Sequence, residues 1–263
     1  MFQHLEAFLH GITLKSKRMS SNFMIQISTH VYCDSLFETI DLENKLLASQ
    51  YKDFPYLIIK NFFSQQSCQR LVALVQKDER SRQKARVKRE SMTGIIQADI
   101  VEAYRKTNSY ALDTFYRNYY DTQWMKYKTD IEAYFSVGLT LSTEVQVLEY
   151  KQGYFYIKHA DDSNEIIDKD KKTIGFKLVA PQRKISTVLF ATSHEITASS
   201  KSDSFSGGEL LFNYLFSAKG EPVMIKPEAG DMIIFPSNPY FSHEVLPVEE
   251  GYRLTLVQWH DTI

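Results

Sequence analysis

At 263 residues and 43% hydrophobic content, the chain can bury a sizeable core, as one large domain or two small ones. A formal net charge of −1 gives no global electrostatic footprint for nucleic acid or an anionic membrane. The only cysteines, Cys33 and Cys68, argue against a disulfide framework or a cysteine metal site. With no apolar run of transmembrane length and no basic segment leading into an apolar core, a cytoplasmic protein is expected.

Residues 1–50 are weakly periodic and carry no motif, so they form an N-terminal extension of unassigned role. Residues 54–63 are rich in aromatic and β-branched types and read as a largely buried strand, with Pro55 at its edge or first position. Ser64 then caps a helix running to about Asp78, with Leu71, Leu74 and Val75 on one face. Between Asp78 and Glu90 lies the densest basic run, with Arg80, Arg82, Lys84, Arg86, Lys88 and Arg89, expected as a solvated helix end or loop. Arg105 follows in a short polar stretch and reads as a surface arginine.

From Asp113 to about Phe135, the residues Phe115, Tyr119, Trp124, Tyr127, Ile131 and Phe135 recur near helical spacing, a core-facing stripe over the back of a sheet. From Glu144 to Val147 polar and apolar residues alternate, the pattern of a strand. The remainder consists of short strand-like runs separated by Gly, Pro and Asp turns. The fold class expected is mainly β with flanking helices around a double-stranded β-helix (jelly-roll) core. One domain should span 1–263, with its catalytic core at 143–260. Two polar stretches, 162–182 and 192–206, are expected as loops at the mouth of this core, where substrate selection commonly resides.

His159-Ala160-Asp161 can place two ligands on one side of an extended strand, because successive side chains alternate faces. A third ligand from His243 would complete a 2-His-1-carboxylate facial triad, which leaves open metal positions and suits non-haem Fe(II). Those positions can take a bidentate 2-oxo acid and then dioxygen. Ten residues past His243, Arg253 follows a Gly251-Tyr252 turn and begins alternating sequence. If the two lie on neighbouring antiparallel strands, both can face one cavity, where the guanidinium fork suits a carboxylate. Of the other histidines, His4, His10 and His30 precede this region, His194 reads as solvated, and His260 is at most a secondary neighbour of the site.

These residues sit in a longer ordered series. Tyr150-x-x-Gly153-x-x-Tyr156-x-x-His159-x-Asp161 is followed by Arg183-Lys184-Ile185-Ser186-Thr187-Val188-Leu189-Phe190. Next come Gly207-Gly208-Glu209-Leu210-Leu211-Phe212 and Pro227-Glu228-Ala229-Gly230-Asp231, then His243-Glu244-Val245, Gly251-Tyr252-Arg253 and Trp259. Over roughly residues 143–260 the chain resembles the Fe(II)/2-oxoglutarate dioxygenases, in their prolyl 4-hydroxylase-like branch.

The resemblance implies Fe(2+) held by His159, Asp161 and His243, and 2-oxoglutarate held at its C5 carboxylate by Arg253, with ascorbate a candidate reductant. Tyr150 is a further candidate for cofactor contact by its place in the family pattern, a packed core tyrosine being the other reading. Thr255, on the same strand face as Arg253, is another candidate. An arginine near position 105 lies by the substrate groove in this branch. Asp161 distinguishes the chain from the superfamily's halogenases, and Trp259 stands where its nucleic-acid demethylases carry a second arginine. Hydroxylation of prolyl residues in a protein or peptide is the leading expectation. The alternatives are a free amino acid or small-molecule substrate, and a non-catalytic metal-binding interaction module.

Overall fold

Short runs of β-branched and aromatic residues pair into two main antiparallel sheets, as the patterning predicts, with three smaller sheets beside them among the described residues. The computed structural model describes residues 25–27, 31–32, 56–78, 81–90, 96–99, 101–167, 173–197, 203–217 and 220–263. Most of the N-terminal extension, Pro55 and Cys33 lie outside these.

The major sheet runs in the order Ile25–Ile27, Leu57–Ile59, Met232–Pro236, Ile185–Phe190, Arg253–Thr262, Gln146–Tyr150, Asn108–Ala111 and Gln83–Lys84, and Leu139–Ser142 also pairs with Arg253–Thr262. The minor sheet runs Pro222–Ile225, Leu210–Phe216, His243–Val245, Phe155–His159 and Arg105–Lys106, with Val31–Tyr32 on Leu210–Phe216. Phe235 of the major sheet packs edge-on against Phe212 of the minor sheet, ring centroids 5.1 Å apart, so the two inner faces share one core.

Centrality explains the unbroken apolar sequence of two strands. Ile185–Phe190 lies between two neighbours and is buried at every residue, and Arg253–Thr262 is buried along its first eight. Glu149, 1% exposed, accepts from Asn108 Nδ2 at 2.6 Å, Tyr110 Oη at 3.1 Å and Tyr252 Oη at 2.9 Å. A buried carboxylate is tolerated because these donors on neighbouring strands satisfy it. Gly230, at φ +100°, donates to Phe190 O at 2.7 Å and accepts from Phe63 N at 3.3 Å. A Cβ there would stand 2.1 Å from the Phe63 carbonyl oxygen, so only glycine lets these segments meet.

Helix α1, Gln65–Lys77, begins where expected: Ser64 Oγ accepts from Ser67 N at 3.1 Å. Its buried stripe is Cys68, Leu71, Val72 and Val75, whereas Leu74 is 42% exposed, because its i+3 position from Leu71 falls off the face the sheet covers. Helix α2, Thr114–Phe135, is capped by Asp113. Tyr116, Tyr120, Trp124, Ile131 and Phe135 are buried, while Phe115, in the first turn beyond the sheet's reach, is 70% exposed. No helix among the described residues is long and apolar enough to cross a membrane.

Three expectations about local structure are corrected. The strand read over 54–63 is confined to Leu57–Ile59; Phe62 and Phe63 are buried in the following turn, where they stack on each other and on α2. The polar stretch 162–182 contains an antiparallel hairpin, Ser163–Ile167 with Thr173–Leu178, whose Ile166, Ile167, Ile174 and Phe176 favour extended pairing despite the lysines between. In 192–206, Ser193–His194 pairs in parallel with Ser204–Gly207.

Candidate active site

The two candidate histidines are brought together by the minor sheet. His159 ends Phe155–His159 and is the antiparallel register partner of His243, which opens His243–Val245, and their ring centroids are 4.4 Å apart. His159 Nδ1 donates to Ile157 O and His243 Nδ1 to Phe241 O, both at 2.9 Å. A carbonyl can only accept, so each Nδ1 carries a proton, which leaves Nε2 as the ring nitrogen open to a metal. Burial, and then the neighbouring His243, push the His159 imidazole down to about 3, which keeps it in the neutral, ligating form.

Asp161 joins them from a bend beyond the strand, not from the strand itself as the alternation argument required. The bend is held by Arg183 Nη1 donating to Asp161 O at 3.1 Å and by Asp162 N donating to Ser237 O at 3.2 Å. The carboxylate lies between the imidazoles: Oδ1 is 3.9 Å from His159 Nε2 and Oδ2 is 3.9 Å from His243 Nε2. Ser186 Oγ donates to Asp161 Oδ2 at 2.6 Å and lies 2.7 Å from Ser237 Oγ. Burial alone would raise the Asp161 carboxyl, but His243, His159, Ser186 and Arg183 outweigh it and hold it below the ordinary carboxylate value. Two imidazoles turned with Nε2 inward and one carboxylate, with ligand atoms all within 4.8 Å of one another, form a donor set that fits a non-haem iron.

His243 and Arg253 prove not to be neighbours in one sheet. They lie in opposite sheets and reach the same cavity of about 130 Å³ from two sides, because a sandwich turns both inner faces toward one interior. Arg253 is 1% exposed, ringed by Tyr150, Phe190 and Phe205 with its guanidinium carbon 4.6, 5.2 and 5.8 Å from their centroids. Its Nε has no hydrogen-bond partner. Burial pushes its pKa down to about 10, against the opposing pull of the Tyr150 hydroxyl and Glu209. A buried cation with a free donor is costly unless an anion completes it, so the cavity fits a ligand carboxylate at this end. Tyr150, the register partner of Arg253, and Thr255 border the same cavity. Gly208, at φ +61°, gives the arginine its room: a Cβ would stand 3.2 Å from Arg253 Cδ and 2.8 Å from Val248 Cγ2.

Residues 145–261 match the family model of the 2OG-Fe(II) oxygenase superfamily. This segment is a 2OG-Fe(II) oxygenase domain. The chain thus carries a dioxygenase domain of a superfamily that uses Fe(2+) and 2-oxoglutarate. No curated protein has a significantly similar sequence. Among solved structures, the oxygenase resembles a prolyl hydroxylase of Trichoplax adhaerens in complex with a hypoxia inducible factor oxygen degradation domain peptide fragment, with TM-score 0.51 and 16% identity over 81% of this chain and 86% of that one. It also resembles the viral collagen prolyl hydroxylase of Paramecium Bursaria Chlorella virus-1 in truncated form, with TM-score 0.50 and 17% identity over 84% of this chain and 98% of that one. Such identities show a shared fold.

The remaining residues of the oxygenase divide clearly. His194 is not solvated: its ring is tucked against Phe205 and its Nε2 lies 3.0 Å from Glu209 Oε1. His260 stacks on Trp124 at 4.2 Å and bonds Ser142 and Thr187, away from the triad. Arg105, expected on the surface, is 7% exposed and borders the cavity, because its strand packs on Phe155–His159 and its guanidinium covers the Tyr156 ring. The support given by Ser186 was not readable beforehand; a serine inside an apolar strand was the signal available.

Proposed function

We propose that this protein is an Fe(II)- and 2-oxoglutarate-dependent hydroxylase of prolyl residues in a protein or peptide. The observation that carries the cofactor assignment is the placing of two imidazole Nε2 atoms and the Asp161 carboxylate across one cavity from the buried Arg253, whose Nε has no partner. His159, Asp161 and His243 would hold the metal, and Arg253, with Tyr150 and Thr255 beside it, would take the C5 carboxylate of 2-oxoglutarate. The bound pair supplies oxidative decarboxylation to succinate and the oxidising power for hydroxylation. The chain's own part is geometric: Ile157 and Phe241 carbonyls orient the imidazoles, Ser186 holds the carboxylate, and the aromatic cage around Arg253 keeps water from the clamp. The prolyl preference is supported by the likeness of the fold to prolyl hydroxylases.

Anaerobic addition of Fe(II) and 2-oxoglutarate should produce a visible charge-transfer band that weakens in both Asp161→Ala and Arg253→Ala. Absence of the band from folded, iron-loaded wild type would sink the cofactor assignment. With dioxygen and ascorbate present, a proline-containing peptide should gain one oxygen atom, and oxygen gain only on non-prolyl substrates would refute the prolyl reading.

A further inference from the structure

Three arginines besides Arg253 line the cavity, and two of them, Arg105 and Arg183, have a buried Nε without a hydrogen-bond partner. Arg105 lays its guanidinium carbon 4.5 Å from the centroid of Tyr156, whose ring in turn stacks on His159 at 3.6 Å. Arg183 lies 3.8 Å over Trp259. Each is anchored at one end only, Arg105 Nη1 on Arg86 O at 3.2 Å and Arg183 Nη1 on Asp161 O at 3.1 Å. The stacking and the anchor set the plane of each guanidinium while leaving its Nε edge free, and that edge can grip a carboxylate through two parallel bonds.

Charge accounting points the same way. Among the charged side chains bordering the cavity are Arg86, Arg105, Arg183 and Arg253, against the single carboxylate of Asp161. Fe(II) and the 2-oxoglutarate dianion would cancel each other, and Asp161, which faces Arg183, offsets one of the four arginines. Arg86 is exposed and met by solvent, and a net positive charge among the more buried Arg105, Arg183 and Arg253 is left for something else to meet. Asp162 acts on Arg183 only through its charge, since it does not border the cavity and its Oδ1 accepts from Ser163 Oγ at 2.6 Å. No ion pair joins Arg105 or Arg183 to a carboxylate among the described residues.

We infer that Arg105 and Arg183 form a carboxylate-binding subsite beside the metal triad, so that the hydroxylated substrate is an acid whose carboxylate lies next to the reacting carbon. The inference rests on the dioxygenase reading and deepens it by naming the charge of the substrate. That carboxylate can come from an aspartyl or glutamyl side chain flanking the target residue of a peptide, or from the α-carboxylate of a free amino acid.

The test uses the whole chain loaded anaerobically with Fe(II) and 2-oxoglutarate. Binding is read from tryptophan fluorescence, since one of the chain's two tryptophans, Trp259, is stacked under Arg183. The probes are short peptides with a central proline and glutamate or glutamine at each flanking position, and in a separate arm L-proline and its amide. In one arm the acid should bind at least about tenfold tighter than its amide, the worth of a charge-assisted pair. The arm that responds identifies the source of the carboxylate. Arg105→Gln and Arg183→Gln should each reduce that ratio toward one, and Arg105→Gln, which does not touch Asp161, should do so with the charge-transfer band intact. Equal binding of acid and amide in both arms, or no binding by any acid, overturns the subsite, and so does a preference that persists in both variants. The acid-to-amide comparison on wild type needs no variant, so a variant that fails to fold does not rescue the proposal. Loss of the band in wild type would instead count against the dioxygenase reading.

Discussion

Ser186 shows how much of the site rests on a residue that is not a candidate ligand. Its hydroxyl donates at 2.6 Å to the Asp161 oxygen that also faces His243. Ser186→Ala should leave the fold intact but let the carboxylate rotate, raising the Fe(II) concentration for half-saturation by about 10- to 100-fold. Metal titration checks this, and an unchanged requirement would remove Ser186 from the site. At this scale the candidate ligands and the clamp were legible because their chemistry restricts residue type: few side chains can ligate iron or grip a carboxylate. Arg105 and Ser186 were not, since a guanidinium or hydroxyl in isolation reads the same on a surface as in a cavity, and only packing against Tyr156 or Asp161 separates the two.

Strand Arg253–Thr262 links the clamp to the structural core, and its far end carries a titratable load. His260 is buried under Trp124, and burial pushes its imidazole down to about 3. The folded chain therefore keeps it neutral where the unfolded chain, with an ordinary pKa near 6.5, takes up a proton. Its stabilising contribution is complete above that value and is lost as pH falls from about 6.5 toward 3. The unfolding free energy of wild type relative to His260→Gln should fall by up to about 1.4 kcal/mol per pH unit across that window. Urea denaturation at several pH values measures it, and a pH-independent difference would refute the account. Element existence was legible from caps and periodicity, as Ser64 and Asp113 show. The covered face was readable only to within one residue, because Leu74 and Phe115 fit the helical period yet fall where no sheet lies above them.

Across the whole molecule, the candidate site depends on two sheets held face to face, with His159 and His243 on one and Arg253 on the other. Occupancy should therefore stabilise the fold as a unit. Mn(II) with 2-oxoglutarate at about 100 times its Kd should add about 2.7 kcal/mol and raise the melting temperature by roughly 5–10 °C. His159→Ala and His243→Ala should lose that rise in a thermal-shift measurement; a rise retained in both would mean the ligands bind elsewhere. The amino-acid sequence by itself determined the jelly-roll class and singled out the candidate ligands and the candidate carboxylate clamp, because short alternating strands and iron chemistry each leave a local imprint. Only the tertiary structure decided that Asp161 reaches the site from a bend, that His243 and Arg253 come from opposite sheets, and that Arg105 and Arg183 turn free guanidinium edges into one cavity. Burial and facing are relations between segments distant in the chain, and no local pattern encodes them.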